Sequence, residues 1–387
     1  MTTDRETPMI YLNNAATSWP KPPEVIAAVN ESFLTPFNEA GRSTNTLSTD
    51  CVSDARQTVA RYLGAPEPDH IVFGSNATDA LNMLIQGFAR KHKEPFHVLL
   101  TELDHNSVIR PLRTLEAEGK CSITVVPCTG THINPSAVAE GIRPDTRLML
   151  MAHGSNVLGS VQDIAAIGKT LHEQGIYFVV DGAQTAGLVP VNLSDLPVDA
   201  FVFTGHKYLF GYPGIGGFYI RDPDQVASTR QGGTGTHSKS PFHPDSLPEK
   251  YEAGTHNYPG IISLAAGIRF LSRKRMDSVK EVTRVQNRIF LDAFSGCGSI
   301  SVYNPDPELP VISFNFDMLG NDDAGFILRN MYGIVTRTGL HCAPLIHEKI
   351  DGGVGCIRIS QSCLTPTDDC RRAAEIIVEV ADHAHCR

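Results

Sequence analysis

Apolar residues fall in two rhythms along the middle of the chain. His97-Val-Leu-Leu-Thr101, Ser122 to Val126, Arg147 to Ala152, Ile176 to Val180, Ala200 to Phe203 and Gly217 to Ile220 are short apolar runs. Each predicts a strand, and His70-Ile-Val-Phe73 predicts one more. Helical spacing fills the intervals, as in Val108 to Gly119 and Asp163 to Gln174. Continuous apolar runs are the mark of strands covered on both faces, and their alternation with helices implies βαβ units and a mostly parallel sheet. Arg230 to Pro244 is rich in Gly, Ser and Pro and reads as a loop. A long helical stretch then runs from about Ile261 to Phe294, and beyond it short strands such as Val311 to Phe316 alternate with helices. The expected fold is α/β, with a large domain over residues 21–264 and a smaller α+β domain over 265–387. Residues 1–20 are expected to pack with the small domain.

Composition narrows the partners. The 387 residues are 41% hydrophobic, ample for a sizeable core. The net charge is -9, and no Lys/Arg-rich block stands out, so nucleic acid and anionic membranes are not expected partners. No run approaches the roughly 18 apolar residues a spanning helix needs, and the first residues are polar, which predicts a soluble, cytoplasmic protein. The nine cysteines (51, 121, 128, 297, 342, 356, 363, 370 and 386) are irregularly spaced, with no CxxC pair. That spacing predicts free thiols and no metal centre.

Ligands of open α/β sheets sit outside the carboxyl ends of the strands. Here those ends carry His105, Asn156, Asp181 and Lys207. A lone lysine or histidine is usually a solvated or structural group, but four such residues along one sheet edge point to a site. A Lys amine can form an imine with an aldehyde cofactor, a carboxylate can keep a pyridine nitrogen protonated, and Gln184 can donate to a phenolic oxygen. Gly74-Ser-Asn-Ala-Thr78 follows a strand and opens a helix, so the amide of Ala77 and the hydroxyl of Thr78 suit a phosphate. Thr204 and His206 could add donors. Together these residues suit pyridoxal phosphate (PLP).

The sequence resembles the class V, fold-type I PLP enzymes, and within them the cysteine desulfurase/selenocysteine lyase group. Seven stretches carry the resemblance in order: Tyr11 to Thr17, Glu102-Leu-Asp-His105, Ser155 to Gly159, Asp181-Gly-Ala-Gln184, Thr204-Gly-His-Lys207, Glu252-Ala-Gly-Thr255 and Arg337 to Cys342. The resemblance implies that Lys207 is the Schiff-base lysine, Asp181 faces the pyridinium and Gln184 the phenolic oxygen. It implies that His105 stacks on the ring and shuttles protons. Asn156 would lie near cofactor and substrate, while Ala77, Thr78, Thr204 and His206 hold the phosphate. Thr255 would reach the phosphate of a neighbouring subunit, which implies a homodimer. Arg358 would clamp the substrate carboxylate, and Asn45 stands where a histidine is common near the substrate entrance.

Cys342 sets the expected reaction. At this place in the family a cysteine attacks the sulfur of the bound substrate and leaves as a persulfide, while the amino acid leaves as alanine. The expected substrate is L-cysteine, with L-selenocysteine as the alternative, and the sulfur passes to a thiol, a carrier protein or an iron–sulfur scaffold. The resemblance also covers aminotransferases, epimerases and C–S lyases that form no persulfide. Departures from the family pattern fall at Asn13, Leu340, Leu364-Thr365 and Asn45, and bear on substrate preference more than on cofactor.

Overall fold

The computed structural model describes residues 9–34 and 50–385. The chain divides into two compact units. One comprises Lys21–Gly154 and Gln162–Met276; the other gathers the segment ending at Pro20, Ser155–Val161 and the chain from Asp277 onward.

The larger unit is built on a seven-stranded sheet. Its order is Ile71–Gly74, Gly216–Ile220, Ala200–Thr204, Tyr177–Asp181, Thr146–Ala152, Phe96–Thr101, Cys121–Val126. Gly216–Ile220 runs against both neighbours, and the other pairings are parallel. Strands 177–181, 200–204 and 216–220 are buried at every position, which is why they read as unbroken apolar runs. Helix Cys51–Leu63 starts on an Asp50 cap and ends on left-handed Gly64, and it packs on helix Tyr258–Lys274.

The long helix expected over 261–294 is two helices, Tyr258–Lys274 and Met276–Ser295. Arg275 breaks them with φ of 62° and ψ of 132°, a backbone conformation no helical residue adopts.

The smaller unit has a four-stranded antiparallel sheet ordered Ile300–Val302, Ile312–Phe316, Cys356–Ile359, Arg337–Gly339. Phe290, Phe294, Phe314, Ile357, Ile359 and Ile377 form the centre of its core. Ile10–Tyr11 pairs in parallel with Ile334–Val335. Ser155–Val161 belongs here because its carbonyls are taken up locally: Ser313 Oγ donates to Val157 O at 2.6 Å and Asn304 Nδ2 to Leu158 O at 2.6 Å. Among the described residues no helix is long and apolar enough to cross a membrane.

Candidate active site

The parallel strands of the large sheet end at Gly74, Thr101, Ala152, Asp181 and Thr204, so the turns after them share one edge. Asp181 closes its strand with a buried carboxylate. Its Oδ1 accepts from Ala183 N–H at 2.9 Å. Burial pushes its pKa up, against the Ala183 hydrogen bond and the positive charge of Lys207. A desolvated carboxylate in this state gains most from a cationic N–H partner. Asp104, which sequence reasoning passed over, braces the same edge. Its carboxyl accepts from Thr101 N–H at 2.6 Å and Ala152 N–H at 2.8 Å, tying two strand ends together. Burial raises its pKa to about 7, with the Asp181 charge adding to the rise.

His105 caps helix Asn106–Ala117, and Ser107 N–H donates to its Nδ1 at 3.1 Å. A nitrogen that accepts holds a lone pair, so the neutral ring carries its proton on Nε2.

Thr204 ends strand 200–204, and His206 and Lys207 lie on the turn after it, which Gly205 N–H anchors to Ile215 O at 2.9 Å. The Thr204 hydroxyl is buried and has no hydrogen-bond partner among the described residues. His206 is held neutral, its pKa lowered to about 4 by burial and by the charges of Lys207 and Lys21. Lys21 also escaped the sequence reading. Its Nζ donates to Gly211 O at 2.6 Å and His206 O at 3.3 Å, and burial lowers its pKa to about 8.

The turn after Ile71–Gly74 opens helix Ala77–Lys91, capped by Asn76, whose side chain accepts from Asp79 N–H at 3.0 Å. Thr78 is exposed in its first turn, and its end supplies N–H donors to an anion. Gly216 is required opposite this turn, because a Cβ there would lie 2.8 Å from Asn76 Cα. Beneath it Glu252 is buried, holding Arg56 through two 2.8 Å bonds, Phe73 N–H at 2.6 Å and His256 Nε2 at 2.8 Å. Burial pushes its pKa up, but Arg56 and His256 outweigh that and hold it low. A cavity of about 180 Å³ opens beside Gly74 and Ser75, and exposed Thr255 lines it.

These residues pass a fit test for PLP. An unpartnered buried hydroxyl, a helix start and a desolvated carboxylate are three unmet demands, and a phosphate and a pyridinium are their chemical complements.

The smaller unit carries the other predicted groups. Cys342 sits in the four-residue link between strand Arg337–Gly339 and helix Pro344–Ile350. His341 and Cys342 are both left-handed, with φ of 50° and 58°. Arg337 Nη2 lies 3.5 Å from Cys342 Sγ. Arg358 is fully buried; Nη1 donates to Asn156 O at 2.9 Å and Nη2 to Asn13 Oδ1 at 3.3 Å. Asn13 therefore meets Arg358 with a neutral oxygen. Asn156 is placed in this unit, and its amide donates to His341 O at 2.7 Å, bracing the Cys342 turn. Asn45 lies outside the described residues.

A family model described as aminotransferase class-V matches residues 10–372. A cysteine desulfurase of Klebsiella pneumoniae is 31% identical over 350 residues, covering 88% of this chain and 86% of the relative. Among solved structures, the cysteine desulfurase CsdA of Escherichia coli superposes with a TM-score of 0.87 at 26% identity, covering 97% of this chain and 94% of that one. An apo cysteine desulfurase from Thermococcus onnurineus gives a TM-score of 0.87 at 28% identity, covering 97% and 95%.

Proposed function

The chain belongs to the aminotransferase class-V family and is a PLP-dependent cysteine desulfurase; on that premise we propose which residues carry the reaction. PLP, when bound, supplies an aldehyde for amines and an electron sink for charge at the substrate α-carbon. Lys207 would hold the aldehyde carbon, and its Nζ would take the α-proton of the substrate. Asp181 would keep the ring nitrogen protonated, and Gln184 would donate to the phenolic oxygen. Thr204 Oγ1, His206, Thr78 and the helix N–H at Ala77 hold the phosphate. His105 would cover the ring, and its Nε2 would carry the proton it passes on. Arg358 binds the substrate carboxylate with a planar fork that lysine cannot copy, and Asn156 steadies it.

Cys342 then attacks the substrate sulfur. An S–S bond forms as the substrate C–S bond breaks, the electron pair returns to carbon, and protonation of carbon yields L-alanine. Cys342 keeps the sulfur as a persulfide, which passes to a thiol or carrier protein, including one that supplies iron–sulfur assembly. The protein works in the cytoplasm as a homodimer, Thr255 completing the phosphate site of the neighbouring subunit. Asn45 belongs to the substrate entrance.

The observation that carries this reading is Arg337 Nη2 at 3.5 Å from Cys342 Sγ, a thiol still partly exposed. Its test is Cys342→Ala in PLP-loaded protein. We expect alanine production from L-cysteine to fall at least a hundredfold while the cofactor spectrum is kept. Full alanine production would refute the persulfide route and leave a direct C–S lyase. Competing L-cysteine against L-selenocysteine and comparing kcat/KM fixes the preferred substrate.

A further inference from the structure

The fold assembles a group of side chains that the sequence spacing hides. His341, His347 and Cys356 are all buried, and one potential ligand atom from each lies within 4.8 Å of the others. His341 comes from the Cys342 turn, His347 from helix Pro344–Ile350 and Cys356 from the head of strand Cys356–Ile359.

Outer partners decide where the imidazole protons sit. His347 Nδ1 is 2.6 Å from Asp351 Oδ2, itself nearly buried, so that nitrogen carries the proton. His341 Nε2 faces Arg337 O at 3.3 Å, and a carbonyl can only accept. The remaining nitrogens, His341 Nδ1 and His347 Nε2, therefore each present a lone pair. They face each other at 3.4 Å, with Cys356 Sγ 3.8 Å from His341 Nδ1. Two lone pairs so close repel unless a cation lies between them.

We propose that His341, His347 and Cys356 form a zinc(II) site on the floor of the Cys342 turn. Two nitrogens each about 2.05 Å from a tetrahedral zinc stand roughly 3.4 Å apart, and a nitrogen and a thiolate about 3.5 Å apart. The observed 3.4 and 3.8 Å lie near these values, and the third pair, within 4.8 Å, closes as the Cys356 sulfur moves inward by about 1 Å. Carboxylate and carbonyl partners on the far ring nitrogens are the outer contacts that orient zinc-binding imidazoles. Binding forms two N–Zn bonds and one S–Zn bond and releases the Cys356 thiol proton to solvent. The ion carries two positive charges; the thiolate offsets one and Asp351 the other. One tetrahedral position stays open. The proposal stands apart from the desulfurase reading.

The test is cobalt(II), the spectroscopic stand-in for zinc, titrated into chelator-treated, PLP-loaded full-length protein. We expect one equivalent per chain, a thiolate-to-cobalt charge-transfer band, and displacement by zinc(II). Cys356→Ser should lose the band and Cys342→Ser should keep it. His347→Gln should weaken binding by about tenfold or more, the usual range for losing part of a metal shell. It keeps the test open if the serine variant fails to fold. A band that survives Cys356→Ser and disappears in Cys342→Ser would overturn the proposal by placing metal on the catalytic thiol. So would folded wild-type protein that takes up no stoichiometric cobalt, the imidazoles then sharing only a proton.

Discussion

Glu252 offers a demanding test of how the phosphate end is held up. Glu252→Gln removes one charge and at least one acceptor from a carboxylate that now holds Arg56, Phe73 N–H and His256. Arg56 and Glu252 side chains are only 7% and 5% exposed, so the Arg56 charge is left in a poorly solvated place. Removing one member of such a pair costs about 3–5 kcal/mol. Phe73 immediately precedes Gly74, so the loss is delivered to the turn that opens helix Ala77–Lys91. We expect the variant to lose about 3 kcal/mol or more in denaturant unfolding of the apo protein, followed by a probe in the large unit, and to bind PLP more weakly. Arg56→Met combined with Glu252→Gln should recover much of that loss, because the stranded charge is gone. The sign with pH follows from the lowered Glu252 pKa: its contribution is complete above the normal carboxyl value and is lost as pH falls through the depressed one. A Glu252→Gln protein within 1 kcal/mol of the wild type, or a double variant no better than the sum of the singles, would refute the reasoning.

Three further outcomes can be checked directly. Thr204→Val deletes a buried hydroxyl that has no partner among the described residues, so apo stability should hold while PLP affinity falls about five- to tenfold, roughly one hydrogen bond; lower apo stability with unchanged PLP affinity would contradict this role. Arg358→Lys should raise KM for L-cysteine at least about tenfold, since the bidentate contact is lost, and an unchanged KM would remove Arg358 from substrate binding. Burial lowers the His153 pKa to about 4, so His153 contributes stability above its unfolded value near 6.5 that is lost as pH falls toward 4. That share is on the order of 3 kcal/mol, and His153→Gln should flatten the acid limb of the stability curve; an unaltered limb would show that His153 is protonated without cost.

The strands of the large sheet were legible because most are buried on both faces, and their bounds differ from the sequence reading by a residue or two at most. The groups at their carboxyl ends were legible for the same reason, since strand ends locate the edge where ligands bind. What sequence rhythm misses is contact across long separations. The helix break at Arg275 has no Gly or Pro beside it to announce a stop, and both flanks keep helical spacing. Asp104 reads as one residue of a polar turn, yet it joins the end of its own strand to a strand end 48 residues further on. The Arg56–Glu252 pair spans 196 residues. Ser155–Val161 follows a strand of one unit and packs in the other, so Asn156, expected at the sheet edge, braces the Cys342 turn. His341, His347 and Cys356 have no recognisable ligand spacing along the chain and meet only because a turn, a helix and a strand head converge.

The central claim is that Lys207 serves the cofactor while Cys342 receives the sulfur. Mass spectrometry of the PLP-loaded protein after a brief exposure to L-cysteine, without an acceptor thiol, tests it most directly. The account predicts one added sulfur on the peptide containing Cys342, removed by reductant and matched by one alanine. Alanine released with Cys342 unmodified, or sulfur found on Cys363 instead, would contradict it.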